Sequence, residues 1–193
     1  MGKAKEPSRL LVWIDCEMTG LDIENDVIIE IFCIITNGNL DVLDEEGWGA
    51  VIHQPKERMD QMDEWCTKTH RDSGLTAAVL SSTTTPEQAS ASLLGYIKKY
   101  IKSPRTALLA GNSVHADKAF LRRGAYKQVH DYLSYRILDV STIKEAALRW
   151  CDAEVVEGRP AKKLLHKAKN DILESIEEAR YYKEVIFQKK SET

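Results

Sequence analysis

Three segments that lie far apart in the chain carry acidic residues and a histidine that together could cleave a phosphodiester bond. Asp15 and Glu17 follow an apolar run, Asp117 lies in the middle of the chain, and His166 and Asp171 lie near its C-terminal end. Four carboxylates gathered in one place would be costly to bury without cations. Two divalent metal ions would neutralise them and support in-line attack at a phosphate. The residue types therefore predict a two-metal site for phosphodiester hydrolysis.

The spacing within two of these segments suits that chemistry. Asp15 and Glu17 are two residues apart on a predicted strand, so their side chains leave one face with Cα atoms about 7 Å apart. His166 and Asp171 are five residues apart and would share a helix face poorly. We therefore expect His166 on a loop or first turn and Asp171 inside the last helix. A histidine placed there could take a proton from the attacking water.

Each segment on its own has a simpler explanation. An Asp-x-Glu pair such as Asp15 and Glu17 arises by chance in most proteins. Asp117 near a helix start would be stabilised by the helix dipole without binding anything. His166, next to Lys167, could be an ordinary surface residue. The prediction of a metal site therefore rests on the combination and order of the segments along the chain.

The elements that must position these residues read as a mixed α/β sheet. The continuous apolar run from 10 to 14 predicts a central strand buried on both faces. Residues 27–36 predict a second strand, and a turn at Gly38 and Asn39 leads to a third that ends at 51–53. These three would form an antiparallel meander, followed by short strands at 106–110 and 137–138. We expect five strands flanked by helices.

The predicted helices alternate with the later strands. The patterns favour helices over about 60–72, 87–101, 114–124, 141–150 and 168–187. Pro86 lies in the first turn of the second of these. Ser113 and Ser141 are expected to cap the third and the fourth.

Length and composition indicate one globular domain. The chain has 193 residues, enough for a single core. We expect a flexible N-terminus at 1–8, one domain at 9–187 and a polar C-terminal tail at 188–193. No apolar run approaches the ~18 residues of a membrane span, and the N-terminus has no apolar signal core, so we expect no membrane partner. Four widely spaced cysteines predict free thiols in a reducing compartment, and hence an intracellular protein.

The net charge of −3 bears on the substrate. Lys and Arg (27) are outnumbered by Asp and Glu (30), whereas proteins that hold long nucleic acids usually carry a basic stripe. A nucleic-acid substrate is still compatible if metal ions supply positive charge and few phosphates are held. The charge balance therefore favours short substrates over long ones.

Further motifs carry a resemblance to a known family. The order of the acid pair Asp15 and Glu17, then Asp117, then His166 and Asp171 is that of the DEDDh 3′-to-5′ exonucleases. Five segments resemble oligoribonucleases within that group: 13–21, 62–66, 111–113, 135–142 and 174–176. The resemblance covers roughly residues 9–186. It implies a ribonuclease-H-like fold, a homodimer, and hydrolysis of short oligoribonucleotides, dinucleotides especially, from the 3′ end to 5′-mononucleotides.

The resemblance assigns the chemical roles at the site. It implies that Asp15, Glu17, Asp117 and Asp171 bind two Mg²⁺ (or Mn²⁺) ions per active site and that His166 is the general base.

It also assigns positions that hold the bases. Leu21 and Trp65 match positions that clamp the two bases of a dinucleotide, which suits stacking worth ~1–3 kcal/mol per base. His70 matches a residue near the 3′ end.

Four further positions would recognise the 5′ phosphate. Ser113 and Ser141 match residues that cap it, and Tyr135 and Arg136 match residues that reach it across a homodimer. Such a cap would close the groove after two nucleotides, so that longer chains clash.

Two departures and two rival functions complete the reading. Asn170 stands where the family usually has an acid, and Lys169 where it usually has an apolar residue; both put the start of the last helix in doubt.

One rival function is that of an exonuclease that acts on DNA or longer RNA, and the other is that of a non-catalytic RNA-binding relative. The sequence leaves open a cytoplasmic or mitochondrial location.

Overall fold

A five-stranded mixed sheet forms the centre of the computed structural model, which describes residues 9–161 and 168–188. Within these residues the strands are β1 (Leu11–Met18), β2 (Ile28–Thr36), β3 (Trp48–Val51), β4 (Leu108–Gly111) and β5 (Ile137–Asp139). Their order is β3-β2-β1-β4-β5. β1 to β3 pair antiparallel, whereas β4 and β5 run parallel to β1. The predicted antiparallel meander and mixed sheet are confirmed.

Helices cover both faces of this sheet. They are α1 (Lys56–Met59), α2 (Glu64–Asp72), α3 (Leu75–Ser81), α4 (Pro86–Tyr100), α5 (His115–Leu121), α6 (Lys127–Tyr132), α7 (Val140–Trp150), α8 (Ala153–Glu157) and α9 (Ala168–Tyr182). A 3₁₀ turn spans Gly124–Tyr126 and a π turn spans Lys183–Phe187. None of the helices in the described ranges is long and apolar enough to cross a membrane.

β1 is buried on both faces because its side chains alternate between two cores. Val12 and Ile14 belong to the cluster that contains Leu93 of α4. Trp13 belongs to the cluster on the opposite face, which contains Ile172 and other residues of α9. The period of two along a strand produces this division. The face that carries Trp13 also carries Asp15 and Glu17 further along β1, so α9 packs beside both acids.

The end of β1 is marked by a change in strand pairing. The register with β2 shifts between Glu17 and Met18, which is a bulge-like irregularity. The chain leaves the sheet directly after the two acids. This places them at the carboxyl end of a central strand, where a cleft can form.

Several expected boundaries were wrong for local reasons. The helix expected over 60–72 begins at Glu64, because the Asp63 side chain accepts a hydrogen bond from the Cys66 amide at 2.7 Å. The third strand ends at Val51 rather than at 53. The last helix becomes a π turn after Tyr182. We did not anticipate the short helices α1, α3, α6 and α8.

Both expected serine caps were also wrong. Asp139 caps α7, and its side chain accepts a hydrogen bond from the Ser141 amide at 3.0 Å. Ser113 does not cap α5, whose N-cap is Val114. Ser113 instead adopts a left-handed backbone conformation with a φ of 51°.

The remaining expectations concern the cysteines and the chain ends. All four cysteines are free thiols, as expected. The expected flexible N-terminus at 1–8 lies outside the described residues, as do residues 189–193 of the expected polar tail.

Candidate active site

Three of the expected metal-binding acids come together at the end of β1. Asp15 and Glu17 lie on β1, and Asp171 lies in the first turn of α9. One carboxylate oxygen from each lies within 4.8 Å of the others. Ile172, which follows Asp171, is buried in the core beside Trp13. The packing of α9 on the sheet therefore brings an acid from the end of the chain to two acids from its beginning.

Asp117 reaches the same region from α5. Its side chain is buried, with 6% of the residue exposed, and its Oδ1 accepts a hydrogen bond from the Cys16 amide at 3.0 Å. Cys16 lies between Asp15 and Glu17, so this bond holds the Asp117 carboxylate against the strand that carries the other two acids. Burial raises the pKa of the Cys16 thiol, and the neighbouring Asp117 carboxylate raises it further.

The electrostatics of the cluster favour added positive charge. Burial raises the pKa of Asp15 well above its ordinary value, and the carboxylates of Asp117, Glu17 and Asp171 raise it further. Burial and the nearby Glu30 raise the pKa of Glu17 to about 8. Burial raises the pKa of Asp117 to about 7, although the Cys16 amide opposes the shift. At neutral pH the cluster must therefore hold either protons or cations.

The donor set fits a hard divalent cation. The three converging ligands are all carboxylates, and oxygen ligands of this kind suit Mg²⁺ and Mn²⁺. Their mutual distances are short enough for them to share an ion, and burial raises the pKa values of Asp15 and Glu17, so a bound cation would stabilise both as carboxylates. The residues that the sequence singled out are thus compatible with bound metal.

Glu30 is a neighbour of this cluster that the sequence analysis did not select. It lies directly opposite Glu17 in the pairing of β1 with β2, so both side chains leave the same face. Its charge is one cause of the raised pKa of Glu17. An acid inside the apolar run from 28 to 35 was the available signal, because a buried strand rarely carries one.

Leu21, in the loop after β1, and Trp65, on α2, are both exposed. Leu21 is 77% exposed and Trp65 is 62% exposed, so each presents apolar surface that suits contact with a flat ligand. His70 behaves differently. It is buried, and its Nε2 lies 2.9 Å from the backbone oxygen of Met18. It therefore contacts the end of β1 directly.

The loop that carries Leu21 is fixed by a polar cluster around Asp26. Thr19 donates its hydroxyl to Asp26 Oδ1 at 2.8 Å, and Arg58 Nη2 lies 2.5 Å from the same oxygen. Both charged side chains are largely buried. Gly20 approaches so closely that an added Cβ would lie 2.3 Å from Asp26 Oδ2. Only a residue without a side chain fits there, so the position of Leu21 depends on Gly20.

Ser113 and Ser141 contact each other. The Ser113 hydroxyl donates to Ser141 Oγ at 3.1 Å, and the Ser113 amide lies 2.9 Å from both Ser141 Oγ and Asp139 Oδ1. The backbone amide of Ser113 donates to both of these oxygens, and the two hydrogen bonds hold Ser113 in its left-handed conformation. The structure thus brings together the two serines that the sequence assigned to a phosphate.

Tyr135 and Arg136 form an exposed pair before β5. Tyr135 is 73% exposed, and the Arg136 guanidinium lies 4.6 Å from the centre of its ring, a cation–π contact. Lys118 donates a hydrogen bond to the backbone oxygen of Tyr135. His166, the expected general base, lies outside the described residues.

Comparison with known proteins identifies the family. The sequence pattern of the exonuclease family RNase_T matches residues 12–179. The mitochondrial oligoribonuclease of Bos taurus is 45% identical over 192 residues, which cover 100% of this chain and 79% of that protein. The oligoribonuclease of Mycobacterium sp. (strain KMS) is 45% identical over 177 residues, which cover 92% and 81%. The chain belongs to the oligoribonuclease family. The prediction of a metal-dependent 3′-to-5′ exonuclease, a hydrolase, is confirmed.

Solved structures show the same fold at low identity. Schizosaccharomyces pombe Pop2p, in a form with bound Mg²⁺ and Mn²⁺, superposes with a TM-score of 0.68 at 13% identity and covers 94% of this chain and 85% of its own. Escherichia coli exonuclease I, in complex with a dA16 oligonucleotide, superposes with a TM-score of 0.66 at 15% identity. This superposition covers 91% of this chain and 41% of that enzyme. The ribonuclease-H-like fold of this oligoribonuclease-family chain is therefore confirmed.

Proposed function

We propose that this protein hydrolyses short oligoribonucleotides, dinucleotides above all, from the 3′ end and releases 5′-mononucleotides. The observation that carries the proposal is the convergence of Asp15, Glu17 and Asp171 at the end of β1. The exposure of Leu21, in the loop after β1, and of Trp65 supports it. The relatives named oligoribonuclease support the choice of substrate. The net charge of −3 supports a short one.

The acidic cluster holds two divalent ions, Mg²⁺ or Mn²⁺. Asp15, Glu17, Asp117 and Asp171 are the protein ligands, and their four negative charges balance two divalent cations. The bound ions would supply positive charge at the scissile phosphate and stabilise the charge that develops there. The chain's own contribution is to fix these carboxylates on rigid elements, three of them within 4.8 Å of one another.

His166 is the general base in this proposal. An imidazole nitrogen of His166 takes a proton from the attacking water, whose oxygen bonds to the phosphorus of the terminal nucleotide as the bond from that phosphorus to the 3′ oxygen of the preceding nucleotide breaks. The 3′ oxygen takes a proton from solvent and becomes a 3′ hydroxyl, and the terminal nucleotide is released as a 5′-mononucleotide. The support for this role of His166 lies in its place in the sequence, shortly before Ala168, where α9 begins and carries Asp171 into the cluster. The imidazole should be neutral for this step, so the rate should rise as the pH passes the His166 pKa.

Substrate length is set by contacts at the two ends of a dinucleotide. Leu21 and Trp65 stack on the bases. His70 stabilises the end of β1 through its hydrogen-bonding contact with the backbone oxygen of Met18. Ser113 and Ser141 lie where the 5′ phosphate would be held. Charge-assisted hydrogen bonds there favour a substrate that ends at this point over one that continues.

A homodimer completes the phosphate site. The exposed Tyr135 and Arg136 pair of one protomer reaches the 5′ phosphate in its partner. Mixing inactive Tyr135→Ala and Asp171→Ala proteins tests this arrangement. After random exchange in an equal mixture, about half of the dimers are mixed, and one of the two sites in each mixed dimer is intact. About a quarter of the active sites should therefore be restored. No recovery after exchange, shown by mass, would refute the shared site.

The decisive assay is a time course on 5′-labelled RNAs of two to seven nucleotides, with Mg²⁺ or with chelator, beside 20-mers of RNA and DNA. The dinucleotide should be consumed fastest, only with metal, and not by the Asp15→Ala or Asp171→Ala proteins. Exposed Glu45 offers the control, Glu45→Gln, which should keep full activity. Faster cleavage of the 20-mers would favour a long-substrate exonuclease, and binding without metal-dependent cleavage would favour an RNA-binding protein.

The role of His166 has its own measurement. His166→Ala should lower the rate by roughly 100- to 10,000-fold and flatten its rise between about pH 6 and 8. An unchanged pH profile would remove His166 from the role of base.

The protein acts inside the cell, in mitochondria or in the cytoplasm. Relatives in Bos taurus and Saccharomyces cerevisiae are described as mitochondrial. Fractionation of cells, followed by the dinucleotide assay on each fraction, would decide between the two compartments.

A further inference from the structure

Asn112 joins two parts of the site that are otherwise separate. It follows β4 and uses its side-chain amide in three hydrogen bonds. Its Oδ1 accepts from the Ser141 hydroxyl at 3.0 Å. Its Nδ2 donates to Ser175 Oγ at 2.8 Å and to Glu178 Oε2 at 3.2 Å. One side of the amide thus faces the serines assigned to the 5′ phosphate, and the other faces α9.

Glu178 fixes which way this amide points. The side chain of Glu178 is buried, with 3% of the residue exposed, and as a carboxylate it offers only acceptors. The Asn112 nitrogen must therefore face Glu178, since the reverse orientation would set two acceptors against each other. The Asn112 oxygen then faces Ser141, and Ser141 must be the donor in that bond. The orientation follows from the chemistry of the groups.

With the Asn112 amide in this orientation, only one of the two serines can donate its hydroxyl to a phosphate without leaving another group unpaired. The single hydroxyl proton of Ser141 is used by Asn112, and its oxygen accepts from the amide and hydroxyl of Ser113. If Ser141 turned its proton to a phosphate, the Asn112 oxygen would lose its donor in a half-buried position, which is costly. Ser113 is exposed and can turn its hydroxyl to a ligand without such a loss.

The same network continues to the backbone of Asp171, whose carboxylate belongs to the acidic cluster. Ser175 is buried and donates its hydroxyl to the backbone oxygen of Asp171 at 2.7 Å, one helical turn earlier. A directional series of donors therefore runs from Ser113 to Ser141, to Asn112, to Ser175 and to Asp171. Hydrogen bonds in such a series polarise one another, and groups that hold a metal ligand affect metal affinity.

We propose that Asn112, oriented by Glu178, is a positioning residue that couples recognition of the 5′ phosphate to the placement of Asp171, with Ser113 as the direct hydroxyl donor and Ser141 as its support. The proposal rests on the proposed function for the identity of the phosphate. It assigns roles to Asn112 and Glu178, which are not among the site residues that the family resemblance implies and are not members of the acidic cluster. Both act through other residues and contact neither substrate nor metal.

The test uses two readouts on the full-length protein. The first is the ratio of kcat/KM for a dinucleotide with a 5′ phosphate to that for the same dinucleotide with a 5′ hydroxyl. The second is the dissociation constant of Mn²⁺ without substrate, followed by electron paramagnetic resonance. Asn112→Asp keeps the shape but replaces the donor nitrogen with an acceptor that faces Glu178. Exposed Glu177 provides the matched control, Glu177→Gln, on the same helix.

The coupling predicts a distinct pattern for each variant. Asn112→Asp should lower the ratio roughly tenfold and weaken Mn²⁺ binding by about tenfold or more. Ser113→Ala should lower the ratio by a similar factor and leave Mn²⁺ binding within about twofold. Glu177→Gln should change neither. An Asn112→Asp protein that keeps either value, or a Ser113→Ala protein that keeps the ratio, overturns the proposal.

Glu178→Gln keeps the test decisive if Asn112→Asp does not fold. Its amide can present either a donor or an acceptor, so Asn112 is no longer held in one orientation, and the ratio should fall at least about threefold. An unchanged ratio would overturn the proposal. A wild-type protein that cleaves neither dinucleotide would instead refute the proposed function, and the Mn²⁺ measurement would still test the link from Asn112 to Asp171.

Discussion

Replacing Glu17 by Gln should make the metal-free protein more stable while removing a proposed metal ligand. Burial and the nearby Glu30 raise the pKa of Glu17 from its ordinary value of 4.5 to about 8 in the folded chain. The folded state therefore binds more protons than the unfolded state between these values. Stability is full below about pH 4.5 and is lost as the pH rises toward 8. Gln has the same shape and carries no charge, so it avoids this loss.

The size of the effect follows from the shift. The interval from 4.5 to about 8 corresponds to a ceiling of about 5 kcal/mol, at 1.36 kcal/mol per pKa unit. Glu17 is half-buried, so water screens part of this cost, and we expect about 2–3 kcal/mol at pH 8. For a chain of this size that is a rise in Tm of about 5–10 °C.

Thermal unfolding in chelator, at pH 5 and pH 8, measures the prediction. Glu17→Gln should melt above wild type at pH 8 and close to it at pH 5. Addition of Mn²⁺ at pH 8 should reverse the order, because wild type gains stability from binding and the variant gains less. The exposed Glu45→Gln protein serves as control. Equal melting temperatures at pH 8, or a gap that does not change with pH, would refute this account of the cluster.

Two further predictions concern the surface that we propose to hold the bases. Trp65→Ala should raise the KM for a dinucleotide by about 5- to 100-fold through lost stacking, with little change in Tm because Trp65 is exposed; steady-state kinetics with an unchanged KM would exclude Trp65 from base contact. Gly20→Ala should raise KM because its methyl would lie 2.3 Å from Asp26 Oδ2, whereas Gly95→Ala meets no atom within 4 Å and should leave KM unchanged. Equal kinetics for the two alanine variants would show that the Leu21 loop tolerates displacement.

The sequence predicted those features of the site that depend on local periodicity. Asp15 and Glu17 share a face because a strand has a period of two, and the apolar run before them indicated a central strand. The acid pair therefore had to lie near the end of a buried strand. That much follows from residues within about ten positions of one another along the chain.

Features that depend on contacts between distant segments could not be read in this way. One such feature is the hydrogen bond from the Cys16 amide to Asp117, and another is the register of β1 and β2 that places Glu30 opposite Glu17. Both arise only once the strands and helices are assembled. The serine caps failed for the same reason. Ser113 and Ser141 use their hydroxyls on each other and on Asn112, and a local propensity does not record that competition.

The acidic cluster combines residues that are far apart in sequence, on β1 and on α9, which has a consequence for synthesis. Asp15 leaves the ribosome early, but Asp171 emerges with the last helix, and its docking must close a loop that spans most of the protein. A nascent chain that still lacks α9 cannot assemble the cluster. Partly translated protein should therefore be inert toward the RNA that surrounds it, and nuclease activity should begin only once α9 has been synthesised and has docked on the sheet.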